Sequence, residues 1–466
     1  MTELRLLDSG FIELEDADQH VSAGIGVVAI IAGAPPTRAE FTVELSRRVA
    51  ADARLRRRVR RTPWDLAAPR WEDDPDFDVA RHLRWTAVPR PCDDRALFEL
   101  VATAMEERLD RDHPLWQCVV VERLDADRWA ILVKAHHSMV DGISGIALFQ
   151  RLCDDPDGTA VRRSRHSTRP GWNVRDVVVK GMRLPVDVPR LLLGTVRAAA
   201  PLVVDVVRPA PTTSLNGSIG RRRRYAPARA SLTEVKEIGA AFGATVNDVA
   251  LAALAAAFRA LLVHRGEDPT AEEVRVLAPV STRSPGADSR LGNKVSIMLP
   301  VLPVATADPV EQLAAVHAET ASHKKSGEAG AADLIITAAG LLPFVSVAWA
   351  LRLASHFPQH GVACLATNVP GPDKRLFFGG REVLEISPYV PIALRLRTGI
   401  GILSYHDQLR FGITGDYDST PDIELFATEI ERAVARLLKC ARDLSDDQPR
   451  GRSDEFDRHR RGPRQS

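Results

Sequence analysis

The sequence contains little cysteine and has almost no net charge. Five of its 466 residues are cysteines, and they stand far apart at Cys92, Cys118, Cys153, Cys364 and Cys440. Without the spacing of a zinc or redox motif, this pattern is typical of a reduced cytoplasmic protein rather than a disulfide scaffold. The formal net charge of +1 gives the molecule as a whole no field that would attract nucleic acid.

An apolar signal core is also missing from the first residues, so we expect a protein that is not exported. Two long apolar runs stand further along the chain. Leu192–Val207 contains two charges, whereas Leu334–Leu351 contains none and is long enough to be a candidate membrane span. We favour a buried or surface-lying helix pair over a true span. The expected location is the cytoplasm, with peripheral contact at the inner membrane or at lipid droplets.

The length predicts two domains of roughly 200 residues each, both of mixed α/β pattern. We divide the chain into an N-terminal domain at 1–160, a crossover linker with apolar helices at 161–224, a C-terminal domain at 225–444 and a disordered tail at 445–466. The run Arg221–Arg224 closes the linker. It could contact phosphate, but charge runs are common in linkers, and we favour that second interpretation.

Hydrophobic spacing and capping residues predict the elements of the N-terminal domain. A strand is expected at Gly24–Ile31, followed by helices at Arg38–Ala51, Asp94–Arg108 and Ile143–Leu152. Thr37 is the expected cap of the first helix. Two strands, Trp116–Leu124 and Trp129–His136, are joined by a short turn at residues 125–127 and predict a hairpin.

The end of this hairpin carries the most informative motif, a His-His pair followed by an acid and a glycine. Side chains on a strand alternate between two faces, so His136 and His137 leave on opposite sides. The face that ends in His137 is apolar from Trp129 onward, whereas the other face turns polar at its end. We therefore expect His137 on the buried side, where a neutral imidazole can act as a general base.

Two other interpretations of the histidines stay open. A single buried histidine is most often a satisfied core residue. A metal site is weakly supported, because adjacent strand histidines point apart and no Cys or Glu cluster stands nearby to complete a ligand set. We predict no metal.

Further blocks follow in a fixed order along the chain. They are Pro114-Leu115-Trp116, His136-His137-Ser138-Met139-Val140-Asp141-Gly142, Asn247-Asp248, Pro279-Val280-Ser281-Thr282-Arg283, Asn368-Val369-Pro370-Gly371-Pro372 and Ser404-Tyr405. Together they resemble the bacterial wax ester synthase/diacylglycerol acyltransferase family, over roughly residues 4 to 442. The His-His block alone is less specific, because chloramphenicol acetyltransferase-like enzymes and peptide-synthetase condensation domains share it.

The resemblance implies an α/β fold of two chloramphenicol-acetyltransferase-like domains, with a central tunnel that reaches the histidine from both sides. It implies transfer of an acyl group from long-chain acyl-CoA, as a substrate rather than a cofactor, to diacylglycerol or a fatty alcohol. His137 would act as general base in a direct ternary complex, since no Ser or Cys nucleophile stands in the motif. His136 would support the motif without taking part in the chemistry.

The resemblance also suggests roles for the remaining residues. Asp141 would fix the loop by pairing with Arg283, although an acid before a helix is also an ordinary N-cap. Gly142 would allow a sharp turn or a close approach to a ligand. Asn247 and Ser281 are candidate oxyanion donors, and Asn247-Asp248 is equally an ordinary helix start.

Three points qualify the resemblance: the role of the Pro-Leu-Trp block, two departures from the family's pattern, and the choice among related functions. Pro114, Leu115 and Trp116 would form an apolar wall for the acyl chain, with simple core packing as the alternative. The chain has Leu4-Arg5-Leu6-Leu7-Asp8 and Asp18-Gln19-His20 where the family usually has Leu-Ser-Pro-x-Asp and Pro-Met-His. As alternative functions, a condensation-type enzyme would take its acyl group from a carrier protein, and a non-catalytic lipid-binding relative would need a broken motif.

Overall fold

The computed structural model describes residues 2–4, 6–62, 67–140, 142–154, 213–271, 273–281, 295–326 and 361–447, with the single positions 344, 348, 349 and 352. The helices are α1 (Leu6–Ala17), α2 (Arg38–Ala51), α3 (Asp94–Glu106), α4 (Gly142–Leu152), α5 (Leu232–Phe242), α6 (Val246–His264), α7 (Pro309–Ser326) and α8 (Ile423–Asp447). The strands of the first half are β1 (Thr2–Glu3), β2 (Gly24–Ala32), β3 (Arg57–Arg60), β4 (Arg70–Asp73), β5 (Leu83–Thr86), β6 (Trp116–Leu124) and β7 (Arg128–His136). Those of the second half are β8 (Arg223–Ser231), β9 (Val274–Ser281), β10 (Val295–Met298), β11 (Val301–Leu302), β12 (Cys364–Val369), β13 (Phe377–Phe378), β14 (Arg381–Tyr389), β15 (Thr398–Tyr405) and β16 (Gln408–Asp416).

Two large sheets and one small one organise the described part of the chain. The first large sheet has the strand order β13-β14-β2-β7-β6-β5, and the second runs β10-β9-β12-β15-β16-β8 with β11 also paired to β9. A third sheet, β1-β4-β3, is short. The mixed α/β, two-domain fold expected from the sequence is confirmed.

The predicted hairpin forms the centre of the first sheet. β6 and β7 pair antiparallel, with Trp116 opposite Ala135. Their turn places Ala126 and Asp127 in the left-handed region, at φ of 51° and 52°. The next neighbour of β7 is β2, which brings Gly24 opposite His136. The strand that carries the histidines is therefore paired on both sides.

The first sheet also contains strands from the second half of the chain. β14 pairs antiparallel with β2 and continues the sheet beyond it, and β13 pairs with β14. The hairpin at 377–389 thus belongs structurally with the histidine motif, although the sequence analysis assigned it to the C-terminal domain. The division at about residue 225 describes the order of the chain but not the membership of the sheets.

Local signals set the helices of the first half as expected. Thr37 accepts a hydrogen bond from the Glu40 N–H and Glu40 reaches back to Thr37, which forms a capping box at the start of α2. Phe41, Leu45 and Val49 of α2 are buried on one face. Asp93 caps α3, which ends at Glu106, two residues before the predicted end. By contrast, α1 was not predicted.

The second sheet packs against α6, most of whose residues are buried. Among the described residues, α6 is the one helix long and apolar enough by composition to cross a membrane, and 67% of its apolar window is buried within the protein. Burial of this kind is typical of a core helix. Leu192–Val207 lies outside the described residues, as does nearly all of Leu334–Leu351.

The structure describes the end of the predicted linker and the start of the predicted tail. β8 begins at Arg223, so the last arginines of the predicted linker belong to a strand of the second sheet. α8 continues to Asp447 and enters the predicted tail by three residues. Residues 155–212 and 448–466 lie outside the described part of the chain.

Candidate active site

The two histidines lie where β7 ends against β2. His136 is the last residue of the strand, and His137 follows it with its N–H donated to the Ala23 carbonyl at 2.9 Å. The chain then turns, and α4 begins at Gly142. The motif therefore spans a strand end, a turn and a helix start. This is the geometry that the sequence predicted for it.

The side chain of His137 is half-buried and stacks on a residue of α1. The ring centroids of Phe11 and His137 are 3.8 Å apart, with an interplanar angle of 12°. The phenyl ring thus covers one face of the imidazole and limits its rotation. An imidazole held in this way keeps its nitrogen atoms at fixed positions, as a general base requires.

The prediction that His137, and not His136, lies on the buried side of the strand is wrong. His136 is 1% exposed and is the more buried of the pair. The expectation was wrong because both faces of β7 are covered: Trp129, Ile131 and Val133 pack in one cluster, while Ala130 and Leu132 pack on the other side against α3. The opposite orientation of the alternating side chains is confirmed by these two clusters.

His136 is fixed by hydrogen bonds on one ring nitrogen and by a carboxylate near the other. Its Nδ1 accepts the Ser138 N–H at 3.1 Å and lies 2.7 Å from the Ser138 hydroxyl. The Nε2 atom lies 3.6 Å from Glu15 Oε2. Because Nδ1 accepts from a backbone N–H, the proton of a neutral His136 belongs on Nε2, facing Glu15. His136 thereby couples the turn of the motif to α1.

Glu15 is a buried carboxylate that connects α1 to the motif. Its Oε1 accepts the Ala23 N–H at 3.0 Å, and its Oε2 lies 2.6 Å from the Arg111 guanidinium. Burial by itself raises the pKa of Glu15, but the interactions with His136, Arg111 and Ala23 outweigh burial and lower the pKa to about 2. Glu15 is therefore ionised in the folded protein at neutral pH.

Other charged side chains are buried around the same helix. Glu13 is fully buried and forms ion pairs with Arg61 at 3.1 Å and with Arg352. Lys134, on the same face of β7 as His136, donates to the carbonyls of Ala104 and Glu107 near the end of α3. Burial lowers the pKa of Lys134 to about 8. Buried charged groups thus lie near the end of the strand that carries the histidines.

Helix α1 and the residues it contributes were not predicted from the sequence. Phe11 and Glu15 contact the two histidines, and neither was singled out. Acidic residues at positions 13, 15 and 16 disguise the buried face of the helix, because acids usually mark a solvent-exposed face. The helical spacing of Leu7, Phe11 and Leu14 was the available signal.

The structure joins the Pro-Leu-Trp block to the motif through the backbone. The Leu115 carbonyl accepts the His136 N–H at 2.9 Å. The side chains of Leu115 and Trp116 are 0% and 3% exposed, and Trp116 donates its indole N–H to the Leu55 carbonyl and stacks on His82 at 4.4 Å. Pro114 is buried as well. These contacts are those of core residues; a role as an acyl-chain wall stays a prediction.

Asn247 and Asn368, from two separate blocks, meet in the second domain. Thr245 and Asp248 form a capping box at the start of α6, so the helix-start interpretation of this block is confirmed. Asn247 stands in the first turn, and its Oδ1 accepts from Asn368 Nδ2 at 3.2 Å. Asp248 is fully buried and accepts from the Thr320 hydroxyl at 2.7 Å. The role of Asn247 as an oxyanion donor stays a prediction.

Asp141 and Arg283 lie outside the described residues, so their pairing stays a prediction. Ser281 is the last residue of β9, and its side chain is likewise outside the described part. Within the residues that are described, no three His, Cys, Asp or Glu side chains are grouped so that they could hold a metal ion.

The Asn-Val-Pro-Gly-Pro block is held against β15. The Gly371 N–H donates to the Ser404 hydroxyl at 3.0 Å, and a Cβ at Gly371 would lie 2.0 Å from the Ser404 carbonyl oxygen. Next to it, the Tyr405 hydroxyl donates to the Val383 carbonyl at 2.7 Å and accepts from the Leu376 N–H at 2.9 Å. Tyr405 thus ties the second sheet to the hairpin that extends the first.

Gly371→Ala is expected to lower the free energy of unfolding by about 1 to 3 kcal/mol, because the added methyl group overlaps a backbone oxygen. Gly145→Ala is the matched control. Its added Cβ would meet Ile25 at 3.7 Å, an ordinary contact inside α4, so the variant should be neutral or up to about 1 kcal/mol more stable. Chemical denaturation of both variants measures the difference. Equal stabilities would contradict the described packing of the block.

The fold places the protein in a class of two-domain α/β structures that includes a wax ester synthase/diacylglycerol acyltransferase and peptide-synthetase condensation domains. A mutant starter condensation domain of rhizomide synthetase RzmA, solved with C8-CoA and Leu-SNAC, superposes with a TM-score of 0.58 at 15% identity and covers 95% of this chain and 94% of that one. A wax ester synthase/diacylglycerol acyltransferase from Marinobacter aquaeolei VT8 superposes with a TM-score of 0.68 at 24% identity and covers 94% of this chain and 100% of that one.

The chain belongs to the wax ester synthase/diacylglycerol acyltransferase family. Residues 4–250 match the catalytic domain of that family, and residues 291–438 match its C-terminal domain. A probable diacylglycerol O-acyltransferase, tgs1, of Mycobacterium tuberculosis H37Rv is 42% identical over 450 residues, or 95% of this chain and 97% of the relative. A putative diacylglycerol O-acyltransferase of the same strain is 36% identical over 449 residues, or 96% of this chain and 92% of the relative. The family resemblance inferred from the sequence blocks is confirmed.

Proposed function

We propose that this acyltransferase esterifies diacylglycerol, or a long-chain alcohol, with the acyl group of acyl-CoA to form triacylglycerol or wax ester. The observation that carries the proposal is the position of His137 in an intact His-His motif, half-buried and stacked on Phe11 at the end of a central strand. Family membership supports the reaction class. A tunnel between the two domains, open to donor and acceptor from opposite sides, completes the proposal.

In the proposed mechanism, His137 acts as general base on the acceptor alcohol. An alcohol is a poor nucleophile near neutral pH until a base takes its proton, and such help is typically worth about 10²- to 10⁴-fold in rate. The oxygen attacks the thioester carbonyl directly, the carbon–sulfur bond breaks, and the protonated His137 returns the proton to the leaving thiolate. His136 positions the turn through Ser138 and Glu15.

The negative oxygen of the tetrahedral intermediate requires a hydrogen-bond donor, worth roughly 3 to 4 kcal/mol where one has been removed in other enzymes. Asn247 and Ser281 are the candidates. The contact with Asn368 favours Asn247, because it occupies the amide oxygen and leaves the amide nitrogen to donate. Asp141, paired with Arg283, would hold the loop after the histidines. The reaction as proposed needs no cofactor or metal.

Incubation of the purified protein with labelled palmitoyl-CoA and a panel of acceptors tests this function. The panel contains diacylglycerol, hexadecanol, glycerol and water. Labelled triacylglycerol or wax ester is the expected product. Free fatty acid as the main product would indicate a hydrolase and contradict the proposal. Activity with an acyl carrier-protein thioester, but not with palmitoyl-CoA, would favour the condensation-type alternative.

Acyl-chain length should control catalytic efficiency. Burial of one methylene is worth up to about 0.8 kcal/mol, or roughly a fourfold gain per carbon, until the binding site is filled. We therefore expect kcat/KM to rise steeply from acetyl-CoA to long-chain acyl-CoAs. Initial rates with a series of even-numbered acyl-CoAs measure the slope. Equal use of acetyl-CoA and palmitoyl-CoA would leave an acyltransferase but contradict the lipid substrate.

We also propose that the protein is cytoplasmic and makes peripheral contact with the inner membrane or with lipid droplets, where its acceptor is found. Trp349, within the apolar segment noted in the sequence, is 65% exposed, and Leu7 on α1 is 38% exposed. Aromatic and aliphatic side chains of this kind insert at lipid interfaces. Flotation with liposomes tests the contact, and recovery of all protein in the soluble fraction would contradict it.

A further inference from the structure

An open cleft of about 360 Å³ lies where the segment after α1 meets the start of β8. It is lined by Gln19, His20, Arg108 and Arg221. Three of these four side chains are cationic or can become so. The cleft is formed by parts of the chain that belong to both domains, and such junctions are common places for small ligands.

Arg108 is held firmly in this cleft without losing its charge. Its Nε donates to the Val21 carbonyl at 2.9 Å, and its Nη2 donates to the Asp18 carbonyl at 2.6 Å and to the Glu15 carbonyl. All of these acceptors are neutral backbone oxygens. The guanidinium is therefore oriented by the connection between α1 and β2, while its positive charge is not neutralised by these contacts.

Arg221 adds a second cation to the lining of the cleft. Its side chain is exposed, at the start of the arginine run that leads into β8. The following residues fix this edge: Arg222 lies over the Tyr417 ring at 3.9 Å and pairs with Asp418, and Arg223 donates to the His20 carbonyl. The run is therefore anchored at the junction of the domains and is not a free linker.

The charges around the cleft leave an excess of positive charge. Asp18 contacts one lining residue of the cleft: its Oδ1 lies 3.0 Å from His20 Nδ1. In the described part of the chain, no carboxylate lies within 4.0 Å of the nitrogens of Arg108 or Arg221. Two guanidinium groups without a carboxylate partner, beside a histidine that pairs with Asp18, leave a positive charge that suits a polyanion.

The cleft is also close to the histidine motif along the backbone. Arg108 binds the Val21 carbonyl, and two residues later the Ala23 carbonyl accepts the His137 N–H. Three extended residues, from His20 to Ala23, span at most about 10 Å. In acyl-CoA, a pantetheine arm separates the reacting thioester from the phosphates, so the phosphates are expected at the surface, away from the base.

We propose that this cleft binds the phosphate groups of the acyl-CoA donor through Arg108, Arg221 and His20. This proposal rests on the proposed function, since it assigns one end of the donor substrate. It also gives a role to His20, which follows the two residues, Asp18 and Gln19, that differ from the family's Pro-Met-His. Arg221 sets the affinity for the donor, and Arg108 forms the fixed floor of the site.

Arg221→Gln tests the proposal with two donors, palmitoyl-CoA and palmitoyl-pantetheine, which has the thioester but no phosphate. The variant should raise KM for palmitoyl-CoA about tenfold more than KM for palmitoyl-pantetheine, as expected for loss of one charged contact. Arg95→Gln is the matched control, because Arg95 is an 84% exposed arginine on α3. Arg95→Gln should change KM for palmitoyl-CoA and KM for palmitoyl-pantetheine by the same factor. Thermal unfolding verifies that both variants are folded.

Direct binding of coenzyme A separates this proposal from the proposed function. Calorimetry should show that the wild-type protein binds coenzyme A more tightly than dephospho-coenzyme A, that binding weakens as salt rises, and that Arg221→Gln weakens it about tenfold. Such binding in a protein that forms no ester would support the proposed coenzyme A site and contradict the proposed function. Ester formation with equal donor preference in wild type and Arg221→Gln would contradict the proposed coenzyme A site and leave the proposed function intact. A variant impaired only with acyl carrier protein would also overturn the assignment to coenzyme A.

Discussion

His137→Ala is expected to lower kcat for ester formation by about 10²- to 10⁴-fold, the usual contribution of a general base. The methyl group cannot take the proton of the acceptor alcohol, and neither Phe11 nor Ser138 can replace it at neutral pH. Stability should change little, because the ring of His137 is only half-buried and lies at the end of its strand. Initial rates with palmitoyl-CoA and the preferred acceptor measure the effect.

The controls for this prediction use two other histidines. His264→Ala removes an exposed ring at the end of α6 and should leave the rate unchanged. His136→Ala removes a buried ring and should lower stability as well as activity. If His137→Ala kept more than a tenth of the wild-type kcat while His136→Ala abolished it at full stability, the base would be His136 and the proposed mechanism would be wrong.

Glu15→Ala is expected to lower the free energy of unfolding by about 3 to 5 kcal/mol, as for removal of one partner from a buried ion pair. The substitution leaves the Ala23 N–H without its acceptor and removes one of the two carboxylates that Arg111 binds, the other being Asp16 at 2.6 Å. Since Ala23 also binds the backbone of His137, ester formation should fall with stability. Denaturant titration measures the first effect. Glu122→Ala removes an exposed ion pair with Arg38 and should cost no more than about 1 kcal/mol.

Glu15 also predicts how stability depends on pH. Its pKa falls from 4.5 in the unfolded chain to about 2 in the folded protein, so its ionised form stabilises the fold. This contribution is fully present above pH 4.5 and is lost as the pH falls toward 2. The shift corresponds to roughly 3 kcal/mol. Glu15→Gln should therefore show a flatter loss of stability between pH 4.5 and 2 than the wild type, and equal slopes would contradict the assignment.

Local patterns were sufficient to predict the hairpin, α2, α3 and the separation of the two histidines. Each of these elements depends on neighbours in sequence: an alternation of apolar residues, or a cap such as Thr37 with its partner three residues later. The family blocks added the reaction class. For the same reason, the start of α6 at Thr245 could be read from the residues themselves.

Interactions over long sequence distances could not be predicted in this way. The acids of α1 are paired with Arg61, Arg111 and Arg352, which stand tens or hundreds of residues away. A sequence read along its length shows Glu13 and Glu15 as surface residues, because nothing local indicates the arginines that make their burial tolerable. The burial of His136 was not predicted for a related reason, since it depends on α1 and on the packing of α3 against the second face of the sheet.

The placement of β14 beside β2 has a consequence for how this protein is made in the cell. β2 is synthesised early, yet the strand that covers its free edge is not complete until Tyr389 has left the ribosome. During that interval the nascent chain presents an unpaired strand of valine and isoleucine, the kind of edge on which chains aggregate. We therefore expect truncations that end before residue 377 to accumulate as insoluble protein, and co-expression of a separate fragment that begins near residue 213 to restore some of it to the soluble fraction.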